Sequence, residues 1–354
     1  MARRLADVAQ AAGVSISTVS RVLNRRPGVH EETRRRVLAV LSDRAYTPRG
    51  LGVLHSTGVI GLLVPELTNP IFPAFAEALE TRAAHHGYST LLCHTRAESI
   101  REEEYVRVLI ARGVAGMVFV SPESTDALAP HDHYQRLRED GVRMVFVNGG
   151  MPTLDVPDVC VDEQVAGFLA TRHLVELGHE RIGFVSGPAR SVPTRLKRAG
   201  WQAALEEAGL PVDPALVEHS PYGAAAGAAA AGRLLDIARP TGLICASDEM
   251  ALGVLSEARR RGISVPRELS VVGFDDAPLA PYAAPPLTTL AQPIAEMAEA
   301  AVDGLIAELE DDLPGRTVAH SRVFRPTLRV RESTAVPAAS YLTLARGTGA
   351  CACG

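Results

Sequence analysis

Four polar or aromatic segments each follow a short apolar run: Asn69 to Phe72, Gly187 to Lys197, Ser247-Asp248 and Asp275. Carboxylates accept hydrogen bonds, amides, hydroxyls and cations donate them, and aromatic rings offer an apolar face. Together these are the groups of reversible small-molecule recognition. Covalent chemistry has less support. There is no Walker loop, no nucleophile elbow, and no dinucleotide Gly-x-Gly-x-x-Gly after a strand. The eleven histidines show no metal-ligand spacing: His85-His86 falls on a helix and His131-x-His133 in a proline-flanked loop. Cys351-Ala352-Cys353 could chelate a soft metal, but on a tail it reads as incidental. Neither a metal nor a cofactor is expected, and an enzyme is disfavoured.

A second chemistry sits at the N-terminus. Residues 1–49 carry ten arginines against four acids, a charge of +6 within a chain whose total is −5, so the other 305 residues sum to −11. A small basic head on an acidic body implies nucleic-acid contact through the head. Of the 36 cationic residues only Lys197 is lysine, a bias that looks like high-GC coding.

The elements that must position these groups follow from periodicity. In the head, Leu5, Val8, Ala9 and Ala12 lie at i, i+3, i+4 and i+7, one face of a helix. Gly13 breaks it, and Ser15 can cap a second helix with the apolar stripe Val19, Val22 and Leu23. A loop over 24–28 precedes a third helix, with Glu31 and Glu32 at its positive end. Two helices joined by a short glycine-containing turn form a helix-turn-helix, whose second helix reads bases in the major groove.

From residue 58 the pattern becomes α/β. Apolar runs at 59–64, 89–93, 116–120, 143–147, 182–186, 242–246 and 270–274 alternate with helical patterns at 74–86, 101–112, 164–177, 195–208, 224–238, 249–261 and 294–310. Such alternation predicts doubly wound parallel sheets, here enough for two lobes, with ligands beyond the carboxyl ends of the strands. Residues 335–354 read as a disordered tail. With 47% hydrophobic and 22% charged residues, five cysteines and no run of about 20 apolar residues, the composition is that of a soluble cytoplasmic protein. Charge at Arg3, Arg4 and Asp7 argues against a signal peptide.

The chain resembles the lactose-repressor (LacI/GalR) family of bacterial transcription regulators. In the head the resemblance rests on Asp7-Val8-Ala9, Ala12-Gly13-Val14-Ser15, Thr18 to Asn24 and Tyr46-Thr47-Pro48. In the body it rests on Leu174 to His179, Ala246-Ser247-Asp248 with Ala251-Leu252-Gly253, Val272-Gly273-Phe274-Asp275, Pro286 to Thr289 and Arg331 to Thr334. It spans residues 4–334 in family order. Segments 65–73 and 130–134 look like an actinobacterial subgroup, some of whose members control maltose or α-glucoside use.

The resemblance implies a DNA-binding head over 1–49, a hinge over 50–57, and a periplasmic-binding-protein-like body over 58–334. The first lobe is expected at about 58–160 plus 290–320, the second at about 161–289 plus 321–334. It implies a homodimer on operator DNA, with a small effector between the lobes and no membrane. Ile16 and Ser17 fall where the family selects bases, with Arg21 one turn on and suited to a guanine O6/N7 pair or to a phosphate. Ser15, Thr18, Ser20 and Asn24 fit phosphate positioning. The hinge departs from the family: Arg49-Gly50-Leu51-Gly52-Val53-Leu54 carries two glycines and lacks the usual Ala-Arg-x-x-Leu. Leu51 or Leu54 could wedge into the minor groove, or the segment is a plain tether.

For the effector, the resemblance points to Asp275 as acceptor for a ligand hydroxyl pair, with Arg195 and Lys197 as cationic contacts. Tyr222 would pack on the ligand face, and Asn69, Ile71 and Phe72 would form the opposite wall. Ser247 and Asp248 complete the acceptors, and Asp162 is a further candidate; Asp248 and Asp162 equally suit helix capping. This set favours a sugar over a purine. The expected function is a DNA-binding repressor whose operator affinity is set by a sugar. The alternatives are a sugar-binding receptor or transport component, and a regulator controlled by a purine or a protein partner.

Overall fold

The computed structural model describes residues 9, 12–23, 29–42, 58–95, 101–151, 153–310 and 321–338. The chain divides into two compact units, 1–54 and 55–354.

In the first unit, helices α1 (Ile16–Leu23) and α2 (Glu31–Ser42) enclose a small core of Ala9, Ala12, Val19, Val22 and Val37. The buried residues of α1 are three apart, the helical spacing read from the sequence. Gly13 adopts φ +63°, the left-handed conformation that turns the chain between the two helical segments and that favours glycine.

The second unit holds two six-stranded sheets. In the first, β1 (Gly58–Val64), β2 (Tyr88–His94), β3 (Gly116–Val120), β4 (Met144–Val147), β5 (Asp158–Val161) and β11 (Ser321–Phe324) lie in the order β11-β5-β4-β3-β1-β2, with every pairing parallel. In the second, β6 (Ile182–Ser186), β7 (Val217–His219), β8 (Gly242–Cys245), β9 (Ser270–Asp275), β10 (Thr288–Ala291) and β12 (Thr327–Arg329) run β12-β10-β9-β8-β6-β7, antiparallel only at β10–β12. Strands β3, β4, β6, β8 and β9 are buried along their whole length, as parallel strands covered on both faces must be. All seven predicted apolar runs are strands.

Helices cover both sheets: α3 (Ile71–His85), α4 (Glu102–Arg112), α5 (Asp132–Glu139) and α10 (Ile294–Glu310) with the first, and α6 (Glu163–Glu176), α7 (Val192–Glu207), α8 (Ala224–Ile237) and α9 (Asp248–Arg260) with the second. The chain passes between the sheets three times, after β5, after β10 and between β11 and β12. Two expected boundaries shift. Residues 321–324 join the first sheet, not the second, because β11 pairs in register with β5, and 290–291 remain in the second as the end of β10. The expected tail also begins too early at 335: Ala335 donates its N–H to Ser270 and accepts from His179 at 3.0 Å. Residues 339–354 of the tail, and the hinge, lie outside the described residues.

Candidate effector cleft and nucleic-acid interface

In the head, Ser15 accepts a hydrogen bond from the Thr18 N–H at 3.2 Å and so caps α1. Its hydroxyl also lies 2.8 Å from those of Ser17 and Thr18. Ser17 and Arg21 are one turn apart and both exposed, opposite the buried Val19 and Val22. This leaves one polar helix face available to a polyanion. The side chains of Ile16 and Ser20, together with Asn24, Leu51 and Leu54, lie outside the described residues.

The body holds a cleft of about 550 Å3 between the carboxyl ends of the two sheets. Seven of the ten effector candidates line it. Asn69, Ile71 and Phe72, at the start of α3, form a wall from the first lobe. Lys197, Tyr222, Ser247 and Asp275 face it from the second. The other three do not line it, each for a local reason. Asp162 is committed to capping α6 through the Val165 N–H at 2.9 Å. Asp248 is buried and braces the second sheet, accepting from the Ala277 N–H at 2.7 Å and the Thr289 hydroxyl at 2.5 Å. Arg195 is exposed: it lies two residues from Lys197 on α7, about 200° around the helix, so only one of the two can face inward.

Lys197 already has partners within the protein. Its Nζ lies 2.5 Å from Glu163 Oε2 and 3.8 Å from the Phe274 ring centroid. Burial alone would lower the Lys197 pKa; Glu163, with Tyr222 and Asp275, outweighs it and keeps the ammonium charged. Glycines on α6 and α7 create this pair. A Cβ at Gly200 would stand 2.0 Å from the Gln164 carbonyl oxygen, and one at Gly167 2.0 Å from that of Lys197. Only bare backbone lets the two helices approach so closely, and that approach brings Glu163 to Lys197.

Asp275 is the other buried charge centre. Burial pushes its carboxyl well above the usual carboxylate range, and Asp248 adds to the effect, against the pull of Lys197 and Gln292. Its backbone has φ +124°, and Ser121 and Asn148, also in the lining, have φ +45° and +55°. Three of the five positive-φ non-glycine residues among the described residues therefore border this cleft. Backbone strain of this kind concentrates at functional sites.

Sequence reasoning missed two features. Gln292, on the crossing after β10, donates to Asp275 at 2.8 Å and accepts from Asn148 at 2.9 Å; Asn148 in turn accepts from the Val161 N–H at 3.0 Å. Asn148 directly follows β4, and Asp275 is the last residue of β9, so the strand-end rule could have found it. At the cleft mouth, Asp126 of the first lobe meets Arg190 of the second at 2.9 Å, and the Ala127 N–H donates to the Arg190 carbonyl at 3.0 Å. Both contacts thus join the lobes by hydrogen bonds.

Residues 4–49 match the family described as bacterial regulatory proteins, lacI family, and residues 171–334 match the periplasmic binding protein-like domain. The chain is 43% identical over 341 residues to the HTH-type transcriptional regulator MalR of Streptomyces coelicolor, covering 95% of this chain and 97% of the relative. The chain belongs to the LacI family. It is a helix-turn-helix transcriptional regulator, as its sequence predicts. Among solved structures of the LacI fold, it resembles the transcriptional regulator CelR in complex with cellobiose, with a TM-score of 0.70, 30% identity, and 93% of this chain and 99% of that one covered. It also resembles the lac repressor dimer bound to operator and the anti-inducer ONPF, with a TM-score of 0.70, 27% identity, and coverage of 93% and 98%.

Proposed function

We propose that this LacI-family regulator is a cytoplasmic repressor, acting as a homodimer on operator DNA, whose DNA affinity is set by a small sugar in the interlobe cleft. The observation that carries the reading is the composition of the cleft. Asp275 and Ser247 supply acceptors from one lobe, the Asn69 amide lies opposite, and the Tyr222 and Phe72 rings border the same space. A sugar needs polar partners for its hydroxyls and an apolar platform for its C–H face, and this cleft offers both. The cellobiose complex of CelR supports the same class of ligand.

In this reading a ligand that favours one lobe arrangement shifts the population of DNA-binding states, and a coupling of about 1–3 kcal/mol is typical. Exposed apolar side chains support pairing of two copies: Leu91 and Leu92 on the edge strand β2, with Val108 and Ile110 on α4. Two heads in one dimer read a pseudo-palindromic operator. Arg21 and Ser17 contact it from the exposed face of α1.

The test is a thermal-shift screen of the full chain against mono- and disaccharides, followed by binding to its own promoter region with and without each hit. A sugar that raises the melting temperature and weakens DNA binding establishes an inducer, and one that strengthens DNA binding a corepressor. Promoter binding that no sugar alters would sink the sugar reading. DNA binding whose affinity does not fall with rising salt would count against the head as the contact, because phosphate neutralisation releases counterions.

A further inference from the structure

Resting on the sugar-binding reading of the cleft, we propose that this site selects uncharged ligands and rejects their phosphorylated forms. Four carboxylates line it: Glu66 and Glu123 from the first lobe, Glu163 and Asp275 from the second. Against them stands one cation, Lys197, already held by Glu163 at 2.5 Å and seated on the Phe274 ring. Arg195, the other cation expected there, is exposed and outside the lining. An entering phosphate would therefore meet Glu66 and Glu123 with no unengaged positive side chain among the described lining residues.

The other common host for a phosphate is the N-terminus of a helix, where unpaired N–H groups and the helix dipole favour an anion. Four helices, α3, α6, α7 and α9, begin at this cleft, and in each a side chain accepts from one early N–H; for α6 it is Asp162, from Val165 at 2.9 Å. Asn69 accepts from the Ile71 N–H at 3.3 Å, Ser191 from Thr194 at 3.4 Å and Ser247 from Met250 at 3.3 Å. The α9 N-terminus also carries Asp248 and Glu249 in its first turn. The protein's own groups thus engage the one lining cation and part of each helix N-terminus. A neutral polyol has no such conflict, because its hydroxyls can donate to the same carboxylates that repel a phosphate.

The experiment uses the full chain and matched pairs: glucose, maltose, cellobiose and trehalose, each with its monophosphate, followed by calorimetry in low-salt buffer. The expected result is that a neutral member binds and its monophosphate binds at least about tenfold more weakly. The Glu66→Gln/Glu123→Gln double variant should narrow that ratio at least about threefold, as should raising the salt. A monophosphate that binds as tightly as its parent sugar overturns this inference and leaves the sugar-binding reading standing. Discrimination that neither the variant nor salt reduces overturns the electrostatic cause. If no member of any pair binds, the sugar-binding reading fails and the inference fails with it.

Discussion

Asn148 and Gln292 meet amide to amide at 2.9 Å, joining the end of β4 in the first lobe to the segment that crosses after β10. Because Gln292 also donates to Asp275 at 2.8 Å, the buried carboxylate of the second lobe is tied to the first through a single side chain. A ligand hydroxyl that engages Asp275 acts on the interlobe contact as well. Gln292→Leu removes both hydrogen bonds at once. An unpaired buried polar group costs about 1–3 kcal/mol, so sugar affinity should fall about tenfold or more. The change in operator affinity that sugar produces should shrink further, even at saturating sugar. Calorimetry and fluorescence anisotropy on labelled operator separate the two effects. A variant with weaker sugar binding and an undiminished operator response at saturation would show that the bridge does not couple the lobes.

The Lys197–Glu163 pair is buried on both sides, with side chains 6% and 9% exposed. Lys197→Met leaves Glu163 uncompensated and should destabilise the second lobe by about 3–5 kcal/mol. Lys197→Met/Glu163→Gln should recover much of that loss. Trp201, the single tryptophan, lies one turn along α7 and is buried against the Ile182 carbonyl, so its fluorescence in urea reports this lobe directly. A single variant as stable as the wild type would mean that Glu163 is protonated or solvated in the native protein.

The glycine contact beneath that pair gives a related expectation. Gly200→Ala must move α7 away from α6, because its Cβ would sit 2.0 Å from the Gln164 carbonyl oxygen. Overpacking of this kind costs about 1–3 kcal/mol. The same urea titration reads the loss. An alanine variant of unchanged midpoint would contradict the close approach.

At the cleft mouth, the Asp126–Arg190 pair is partly exposed, at 26% and 64% respectively, so it contributes under about 1 kcal/mol to folding. Its expected effect is kinetic. Arg190→Ala loosens the contact between the lobes, and sugar should dissociate several-fold faster with the ligand-free melting temperature nearly unchanged. Stopped-flow dilution of the complex measures this. An unaltered dissociation rate would mean that the pair does not guard the mouth.

Much of this arrangement was legible in the sequence, for a physical reason. Runs such as 59–64 and 116–120 have no polar side chain, and a buried parallel strand or a core helix uses such a run. The missed strands β5, β7, β10, β11 and β12 have three or four residues each and carry polar residues among them, so they lack the continuous apolar run that marked the equally short β4 and β8. The strand-end rule located Asn69, Ser247 and Asp275, since carboxyl ends of adjacent strands converge. It could not tell Ser247 from Asp248, because the turn into α9 sends one side chain to the cleft and the other into the sheet. Nor could it show that Lys197 is paired. Glu163 lies 34 positions away in the chain, and the small residues that bring the two together look unremarkable among the 30 glycines.

Asp248 makes a pH prediction. Burial raises its carboxyl from an ordinary 3.8 to about 6, against the opposing pull of the Thr289 and Ala277 hydrogen bonds. Between those values the folded protein holds a proton that the unfolded chain has released. The stability due to this group is therefore greatest in acid, falls as pH rises from about 4 to about 6, and is level above that. The drop is on the order of 3 kcal/mol. Asp248→Asn removes the titration, so the wild type's stability relative to the variant should be larger at pH 4 than at pH 6.5. Urea unfolding of both proteins across that range measures the difference. A constant difference would mean that Asp248 is ionised throughout and that its buried partners stabilise the charge.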